Sequence, residues 1–505
     1  MIPRVRANAA LLCALLVVLV VRAAPGADMS SVATVRKPSP GGSAWSALQL
    51  LSLQRALAAL LEAPTLRGAH VGLYAIDTTR GTILFAHDAD RDFMPASNFK
   101  LLVGSAALSQ LGPSFTYVTA VGSGAAPRDG AIAGNLYLHG GGDALLGADD
   151  LRSAAATLAA QGIRRVDGAL LTDASHFDSE RYGSGWSWND LPYDYAPVVS
   201  ALELDDGIVH AYMTPGSAAG MPVALRVEPS SAASIIDNRL VTGPEGSKDT
   251  SEIVRPWNQP LQIQLVGSYP AGARESGDLR PSVPDPPSFA GGVLAQALAA
   301  QGIAIAGGVR DGKMPPATTT LWSHASEAMP QLLADLWYPS DNLMAEILLK
   351  ELGVAQGGEP GSVVNGRIAE QQFLRSAGID PATVTIADGS GLSQYDRITP
   401  RALVAILQAD WNGPYRDIVL DALPVAGVRG TLKTSFLGTA AERTLFAKTG
   451  SISHVRALSG FVQSRTHGAI TFSLLIEDWM DENNPGAAAA LARVRSGIVS
   501  LLATS

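Results

Sequence analysis

The sequence predicts a mixed α/β protein in which one domain is interrupted by a β-rich insertion. Both ends of the 505-residue chain combine strand-like and helical patterns, whereas residues 115–286 consist of short β-branched runs separated by turn residues. Because the two ends are alike and differ from the middle, we expect them to form one domain whose sheet draws strands from both ends. A chain of this length is also too long for a single hydrophobic core.

The first 27 residues have the layout of a secretory signal. Arg4 and Arg6 precede an uncharged apolar run at 9–21, and small residues follow it up to Ala27. The run is short for a bilayer span, which takes about 20 apolar residues. We therefore expect export to the periplasm or another exported location, and no stable membrane span once the signal is removed.

Composition excludes several classes of function. The only cysteine, Cys13, lies within the predicted signal, so the mature chain would have no thiol for catalysis, disulfides or metal ligation. Removing residues 1–27 takes away three arginines and no acid, so the net charge changes from −9 to −12. A nucleic-acid partner is not expected, because binding phosphate requires a concentrated basic surface. The histidines lack metal-binding spacings such as His-Glu-x-x-His, and we expect neither a metal nor another cofactor.

Near the N-terminus, residues 44–61 predict a helix that is apolar on most faces and therefore buried. Two strand-like runs at 71–77 and 81–88 are separated by a turn and predict a β-hairpin. The next predicted helix carries Ser97 and Lys100 and ends where glycine and proline stop it.

Helix and strand patterns return after the β-rich middle. The predicted helices lie at 290–301, 342–352, 365–377, 400–408 and 486–502. Three consecutive antiparallel strands are predicted at 443–452, 456–464 and 468–478. These patterns divide the chain into a signal peptide (1–27), the N-terminal part of the main domain (28–114), the inserted β-rich region (115–286) and the C-terminal part of the main domain (287–505).

Ser97 and Lys100 form the only Ser-x-x-Lys spacing in the chain. Residues three apart share a helix face, so the amine can serve as a base for the hydroxyl. The spacing alone is weak evidence, because it arises by chance roughly once or twice in a chain of this length.

Two further motifs follow in the chain. Ser340-Asp341-Asn342 stands at the entry to a helical pattern, and Lys448-Thr449-Gly450 stands at the end of a strand-like run. Each is weak when taken alone, since Ser187-Trp188-Asn189 matches Ser-x-Asn equally well. The order Ser-x-x-Lys, Ser-Asp-Asn, Lys-Thr-Gly is typical of penicillin-binding proteins and class A β-lactamases.

With these motifs the sequence resembles the peptidase S13 family of D-alanyl-D-alanine carboxypeptidases/endopeptidases, the class C low-molecular-mass penicillin-binding proteins. Further blocks that carry the resemblance are GGGDALL (140–146), WSWND (186–190), PVVSALELDDG (197–207), DGSGLS (388–393) and LPVAGVRGTL (423–432). The resemblance runs from about residue 45 to the C-terminus. The distance from Ser97 to Ser340 leaves room for the family's inserted domains and is too long for a β-lactamase.

The resemblance implies a penicillin-binding/β-lactamase-like transpeptidase fold, with a central antiparallel sheet flanked by helices and interrupted by β-rich inserted domains. It implies a serine-type hydrolase that acts, through an acyl-enzyme, on peptidoglycan peptides ending in D-Ala-D-Ala or carrying D,D cross-links. β-Lactams would be covalent inhibitors. These expectations make 28–114 and 287–505 the two parts of a catalytic domain.

By the same resemblance Ser97 is the nucleophile and Lys100 its base. Ser340 would relay a proton to the leaving amine, and Asn342 would position the substrate amide and Lys100. A lysine base near neutral pH needs a pKa about three units below its usual value of about 10.4. Burial and a second cation, Lys448, can lower the pKa in this way.

The resemblance also implies the substrate-binding residues. Lys448 and Thr449, followed by Gly450, would hold the substrate carboxylate, and the backbone N–H groups of Ser97 and Ser451 would form the oxyanion hole. Asp190, in the inserted region, would read the free amine of the peptide's third residue. The alternative for Asp190 is a capping carboxylate in a tryptophan-rich packing patch.

Two other functions remain open at this level. One is a β-lactamase or esterase on the same fold, against which stands the lack of a Glu-x-x-Leu-Asn segment between the second and third motifs. The other is a non-catalytic wall- or penicillin-binding protein that has lost turnover. Every motif residue is present, but a sequence does not give a catalytic rate. A Ser-His-Asp hydrolase is not expected, because the chain has no Gly-x-Ser-x-Gly elbow.

Overall fold

A computed structural model describes residues 35, 37–273, 277–480 and 484–505. The predicted signal peptide, with Cys13, lies outside the described residues. The helices are α1 (Ala47–Leu61), α2 (Lys100–Leu111), α3 (Ala148–Ala160), α4 (Pro286–Ala300), α5 (Met329–Trp337), α6 (Asn342–Gly357), α7 (Val363–Ser376), α8 (Pro400–Asn412), α9 (Arg416–Ala422) and α10 (Pro485–Thr504).

The strands are β1 (His70–Asp77), β2 (Ile83–His87), β3 (Val118–Ser123), β4 (Ala131–Ile132), β5 (Leu136–His139), β6 (Arg165–Val166), β7 (Leu170–Asp173), β8 (His210–Thr214), β9 (Ala224–Glu228), β10 (Ile236–Asn238), β11 (Val241–Gly243), β12 (Glu252–Val254), β13 (Ile263–Val266), β14 (Ser268–Pro270), β15 (Gly277–Leu279), β16 (Ala304–Ile305), β17 (Val309–Asp311), β18 (Thr319–Ala325), β19 (Leu445–Ile452), β20 (Val455–Ser464) and β21 (Gly468–Glu477).

The main sheet joins the two ends of the chain. Its order is β19-β20-β21-β1-β2, and neighbouring strands are antiparallel. β1 pairs with β21 along its whole length, from His70 opposite Glu477 to Asp77 opposite Ile470. This pairing confirms that one sheet draws strands from both ends, and the β1–β2 hairpin and the three C-terminal strands are also as predicted.

Helices cover both faces of this sheet. α1 and α10 pack on one face, where Leu57 and Ile498 join a core with Leu458 and Phe472. α2, α6 and α8 lie over the other face, in the core that contains Phe461. The main domain is therefore three layers, as expected for an antiparallel sheet flanked by helices.

The prediction for the first helix was wrong in one respect. α1 forms over nearly the predicted range, but only Leu53 and Leu57 are buried, and Leu48 is 81% exposed. A helix that lies on the outside of a layer buries one stripe, whatever the polarity of its other faces.

α10 is long and apolar enough to cross a membrane by length and composition, with 20 residues and a mean hydropathy of 1.3. Leu491, Ile498 and Leu502 are nevertheless buried in the core beneath the sheet. We interpret α10 as a core helix of the main domain.

Strands from both sides of residue 286, the predicted end of the inserted region, belong to one sheet. This sheet has the order β17-β7-β5-β3-β18. β18 pairs antiparallel with β3, and β17 pairs parallel with β7. The chain up to Ala325 therefore pairs with β3, the first strand of the predicted inserted region.

Candidate active site

Ser97 lies in a single 3₁₀ turn, Ala96–Phe99, immediately before α2. Ala96 has φ +46°, a left-handed conformation that is rare for a residue with a side chain and costs of order 1–3 kcal/mol. Lys100 is the first residue of α2, and its carbonyl accepts a hydrogen bond from Trp337 Nε1 at 2.9 Å. The indole fits there because Gly104 has no Cβ, which would lie 2.6 Å from the Trp337 ring.

The Lys100 amine is fully buried among oxygen acceptors. Nζ donates to Ser97 Oγ at 3.0 Å, to Asn342 Oδ1 at 2.5 Å and to the carbonyl oxygen of Ser390 at 2.7 Å. Within the described residues no carboxylate forms an ion pair with it. The spacing of Ser97 and Lys100 therefore brings hydroxyl and amine together.

Burial lowers the pKa of Lys100 to about 8, against the opposing charges of nearby carboxylates. The decrease matches in direction what a lysine base needs. Its cause is desolvation, and the second cation proposed as a contributor, Lys448, does not appear among the main influences on Lys100.

Ser340 stands between α5 and α6 in a left-handed conformation, with φ +70°. Its Oγ accepts a hydrogen bond from Lys448 Nζ at 2.7 Å, and the same Nζ donates to Thr449 O at 2.9 Å. Burial, and then the positive charge of Lys100, hold the pKa of Lys448 well below its ordinary value. A strained serine is thus fixed beside a second buried amine.

The strand β19 is an edge of the main sheet, and it lies close to the turn that carries Ser97. Gly450 makes this approach possible, because a Cβ there would lie 2.8 Å from the Pro95 carbonyl oxygen. Asn98 Nδ2 donates to the Lys448 carbonyl at 3.0 Å and ties the two segments together.

The backbone of β19 also determines where the N–H of Ser451 points. Ala447 N–H donates to Pro424 O at 3.0 Å, on the side away from β20. N–H directions alternate along a strand, so Ser451 N–H points to the same outer side. The side chain of Thr449 donates to Thr431 Oγ1 at 2.7 Å.

Asn342 connects the site to the inserted region. Its Oδ1 accepts from Lys100, and its Nδ2 donates to the carbonyl oxygen of Tyr195 at 2.6 Å. Tyr195 OH in turn donates to Asp190 Oδ1 at 3.0 Å. Asp190 is half-buried, and its link to the catalytic groups runs through Tyr195.

The structure therefore places Ser97, Lys100 and Asn342 in one hydrogen-bonded group and Ser340 and Lys448 in a second. Asn98 joins the turn that carries Ser97 to the Lys448 carbonyl. The hydroxyl of Ser97 has an amine of lowered pKa as its hydrogen-bond partner, and such a pair can serve as nucleophile and base. This arrangement can carry out acyl transfer to a serine followed by hydrolysis.

Three groups in the site were not assigned a role from the sequence. Ser390 supplies a backbone carbonyl to Lys100, Asp388 holds the loop around Ser390, and Trp186 donates from the inserted region to Asp388. The DGSGLS and WSWND blocks were visible as parts of the resemblance. The role of the Ser390 carbonyl, however, could not be predicted, because any residue has a backbone carbonyl and no sequence motif marks this one.

One cluster of potential metal ligands lies elsewhere, where β1 meets β21. His70, Glu477 and Asp478 bring one ligand atom each within 4.8 Å of one another. Arg91 Nη2 approaches His70 Nδ1 at 3.0 Å, and Glu477 Oε2 accepts from Met94 N–H. Arg91 already supplies a positive charge there, so we assign no metal to this cluster.

Comparison with known proteins identifies the family. The model of the D-Ala-D-Ala carboxypeptidase 3 (S13) family matches residues 53–498. The chain belongs to this family. The S13 assignment confirms the prediction of a serine-type D-Ala-D-Ala carboxypeptidase fold and activity class.

Individual S13 relatives agree with the assignment. The D-alanyl-D-alanine carboxypeptidase of Actinomadura sp. (strain R39) is 35% identical over 456 residues, which are 88% of this chain and 84% of that protein. The crystal structure of penicillin binding protein 4 (dacB) from Haemophilus influenzae superposes with a TM-score of 0.81 at 25% identity, covering 89% of this chain and 99% of that one. A second structure of that protein, complexed with a β-lactam, shares the fold with a TM-score of 0.75 at 22% identity.

Proposed function

We propose that this chain hydrolyses the D,D peptide bond that follows the penultimate D-alanine of peptidoglycan peptides, through an acyl-enzyme on Ser97. The observation that carries the proposal is the contact between Lys100 Nζ and Ser97 Oγ. A fully buried amine, which pairs with no carboxylate among the described residues, faces a half-buried hydroxyl. Desolvation favours the neutral amine, and a neutral amine can accept the serine proton.

In the first step Ser97 Oγ attacks the carbonyl carbon and its proton passes to Lys100. The tetrahedral intermediate then collapses, the C–N bond breaks, and the leaving D-alanine nitrogen receives a proton. Ser340 Oγ, held by Lys448, is the group we assign to that proton relay. Water then attacks the ester and regenerates Ser97.

The hydrogen bond from Lys448 Nζ to Ser340 Oγ supports a binding role for the Lys448 segment, because it places donor groups beside the proposed cleft. Lys448 and Thr449, which lead into Gly450, would hold the terminal carboxylate of the substrate. The N–H groups of Ser97 and Ser451 would stabilise the oxyanion, each contributing on the order of 10²- to 10³-fold in rate. The outward direction of Ser451 N–H on an edge strand supports this role.

The inserted region would contribute to the recognition of the peptide. Asp190 is the candidate for the free amine of the third residue, and its hydrogen bond from Tyr195 links it to Asn342 and the cleft. From the strand pairing we further propose that the inserted region spans 118–325, and from the first 27 residues that the protein is exported.

A fluorescent penicillin tests the nucleophile. Wild-type protein should label covalently and Ser97→Ala should not. Ser451→Ala should keep most of the labelling, because only its backbone is assigned a role. Equal labelling of wild type and Ser97→Ala, or no labelling of either, would refute the proposal.

Two substrates distinguish carboxypeptidase activity from endopeptidase activity. Release of D-alanine from a pentapeptide reports carboxypeptidase action, and cleavage of a D,D-cross-linked dimer reports endopeptidase action. Both reactions break the same type of bond, so Ser97→Ala must abolish whichever one the wild type performs. Turnover of neither substrate by a protein that labels with penicillin would refute the peptidase function.

A further inference from the structure

Asp388 lies where the inserted region meets the loop that contacts Lys100. Its carboxylate is fully buried and accepts hydrogen bonds from two directions. From the inserted region Trp186 Nε1 donates to Oδ2 at 2.8 Å. From the loop itself the N–H groups of Gly391 and Ser393 donate at 2.6 and 2.7 Å. The carboxylate therefore fixes the indole and the loop relative to each other.

The same loop also contacts Lys100, the proposed base. Ser390 Oγ donates to Asp388 Oδ2 at 3.1 Å, and the Ser390 carbonyl accepts from Lys100 Nζ at 2.7 Å. The loop has no room to shift toward the nucleophile, because a Cβ on Gly391 would lie 2.0 Å from the Ala96 carbonyl oxygen. Any displacement of Asp388 thus moves the oxygen that orients the amine.

Asp388 also acts on Lys100 through its charge. Among the carboxylates around Lys100 it is the one that most strongly opposes the effect of burial on the pKa. The titratable groups that face Lys100, from the loop, from α6 with its first turn and from β19, are Asp388, Asp396, Asp341, Glu346 and Lys448. A donor on Asp388 offsets part of its negative charge, and Trp186 is the donor that comes from outside the loop.

We propose that Trp186 of the inserted region is a positioning residue for Lys100, acting through Asp388 and the Ser390 carbonyl. This inference rests on the proposed role of Lys100 as the base for Ser97. It makes the inserted region a structural part of the catalytic centre, in addition to any contact it makes with the peptide. Tyr195, which accepts from Asn342, is a second contact of the same segment with the site.

The experiment compares Trp186→Phe with Trp188→Phe. Each variant keeps an aromatic ring and loses one indole N–H. Trp188 is 51% exposed and makes no hydrogen bond within the described residues, so it is the matched control. The measured quantities are the second-order rate constant of acylation by a fluorescent penicillin across neutral and alkaline pH, and the thermal unfolding temperature.

Trp186→Phe should lower the acylation rate constant near neutral pH by about tenfold. It should also move the midpoint of the rise with pH upward by about half a unit, because the less neutralised Asp388 carboxylate favours protonated Lys100. Trp188→Phe should change neither quantity. A folded Trp186→Phe protein with the rate constant and midpoint of the Trp188→Phe protein would overturn the inference.

Asp388→Asn provides the second test if Trp186→Phe does not fold. Removal of the negative charge should move the midpoint to lower pH, opposite to the effect of the tryptophan change. A midpoint that stays in place or rises would overturn the inference. These outcomes differ from failure of the proposed function, in which the wild-type protein itself would not label at Ser97.

Discussion

The active-site cleft and the junction between α6 and the inserted region both bury lysine side chains, but they hold them in opposite ways. In the cleft Lys100 and Lys448 are 0% exposed, and no ion pair involves either amine in the described part of the chain. At the junction Lys350 is 1% exposed, and its Nζ contacts Asp178 Oδ1 at 2.6 Å. The next residue, Glu351, accepts from His176 Nε2 at 2.8 Å.

The difference shows that burial alone does not tell what a lysine does. An unpaired buried amine loses solvation without gaining a countercharge, and its neutral form becomes available as a base. A paired amine holds two segments together, and removing one partner leaves the other charge uncompensated. Lys100 is therefore the proposed base, whereas Lys350 holds two segments of the fold together.

The largest expected effect is on acylation, and it distinguishes a lysine that acts as a base from a lysine that stabilises the fold. Lys100→Met should lower the rate constant of acylation by a fluorescent penicillin at least about 10³-fold, because no other base contacts Ser97 within the residues that the structure describes. Methionine removes the desolvated amine but also the hydrogen bonds to Asn342 Oδ1 and the Ser390 carbonyl, so these opposing effects should keep the change in the free energy of unfolding to about 1 kcal/mol. Denaturant unfolding and labelling rates measure both. A fall in stability with normal labelling would assign Lys100 to the fold and contradict the comparison.

The pH dependence of acylation is the next expected effect. With a pKa of about 8, Lys100 is neutral in roughly one tenth of molecules at pH 7 and in nearly all of them well above pH 8. The acylation rate constant should therefore rise about tenfold through pH 8, in buffers that leave the penicillin intact. A flat profile, or a fall with rising pH, would contradict a lysine base.

The same pKa determines how Lys100 affects stability. The unfolded chain has the ordinary lysine pKa of 10.5 and binds more protons than the folded chain between about pH 8 and 10.5. The contribution of Lys100 to the free energy of unfolding should therefore rise with pH over this window. Comparing the pH–stability curves of wild type and Lys100→Met isolates this contribution.

Removing the paired lysine should have the opposite signature to removing the unpaired one. Lys350→Met should lower the free energy of unfolding by about 2–3 kcal/mol, near the lower end for a broken buried pair, because Asp178 remains partly solvated. Acylation should stay within about twofold of wild type, since Lys350 contacts no group of the site. Loss of acylation in a protein of unchanged stability would remove the distinction between the two regions.

The smallest expected effect concerns His176 at the junction. Burial lowers its pKa, but hydrogen bonds from the ring to Glu351 and Glu359 outweigh burial, so the net pKa is raised above the usual 6.5. A raised pKa contributes stability that is present below the unfolded value and is lost as pH rises through the folded one. His176→Gln should therefore cost about 1 kcal/mol at mildly acidic pH and less at alkaline pH. A cost that grows with pH would contradict the assignment.

Much of the fold could be predicted because the signals are local. The β1–β2 hairpin and the three C-terminal strands appear as alternating or apolar runs between turn residues. The pairing of β3 with β18 could not be predicted, since it joins segments about 200 residues apart. The burial of α1 could not be predicted either, because its composition does not show which face packs on the sheet.

The candidate site divides in the same way. Motif spacing predicts the reactive side chains, and the structure brings Ser97 into contact with Lys100 and Ser340 into contact with Lys448. The Ser390 carbonyl and the Trp186–Asp388 bond were missed, since they depend on the path of the backbone and on the approach of two distant loops.

The sequence alone determines the identity and order of the reactive groups and the sheet shared by the two chain ends. Hydroxyl and amine chemistry and the periods of helix and strand are properties of short stretches of chain. Whether a lysine is buried with a carboxylate or without one was decided by packing in three dimensions. Lys100, Lys350 and Lys448 have similarly apolar neighbours in the sequence. The contacts that distinguish them come from segments far away along the chain. Desolvation and pairing are properties of those contacts, and they separate the proposed base from the structural cation.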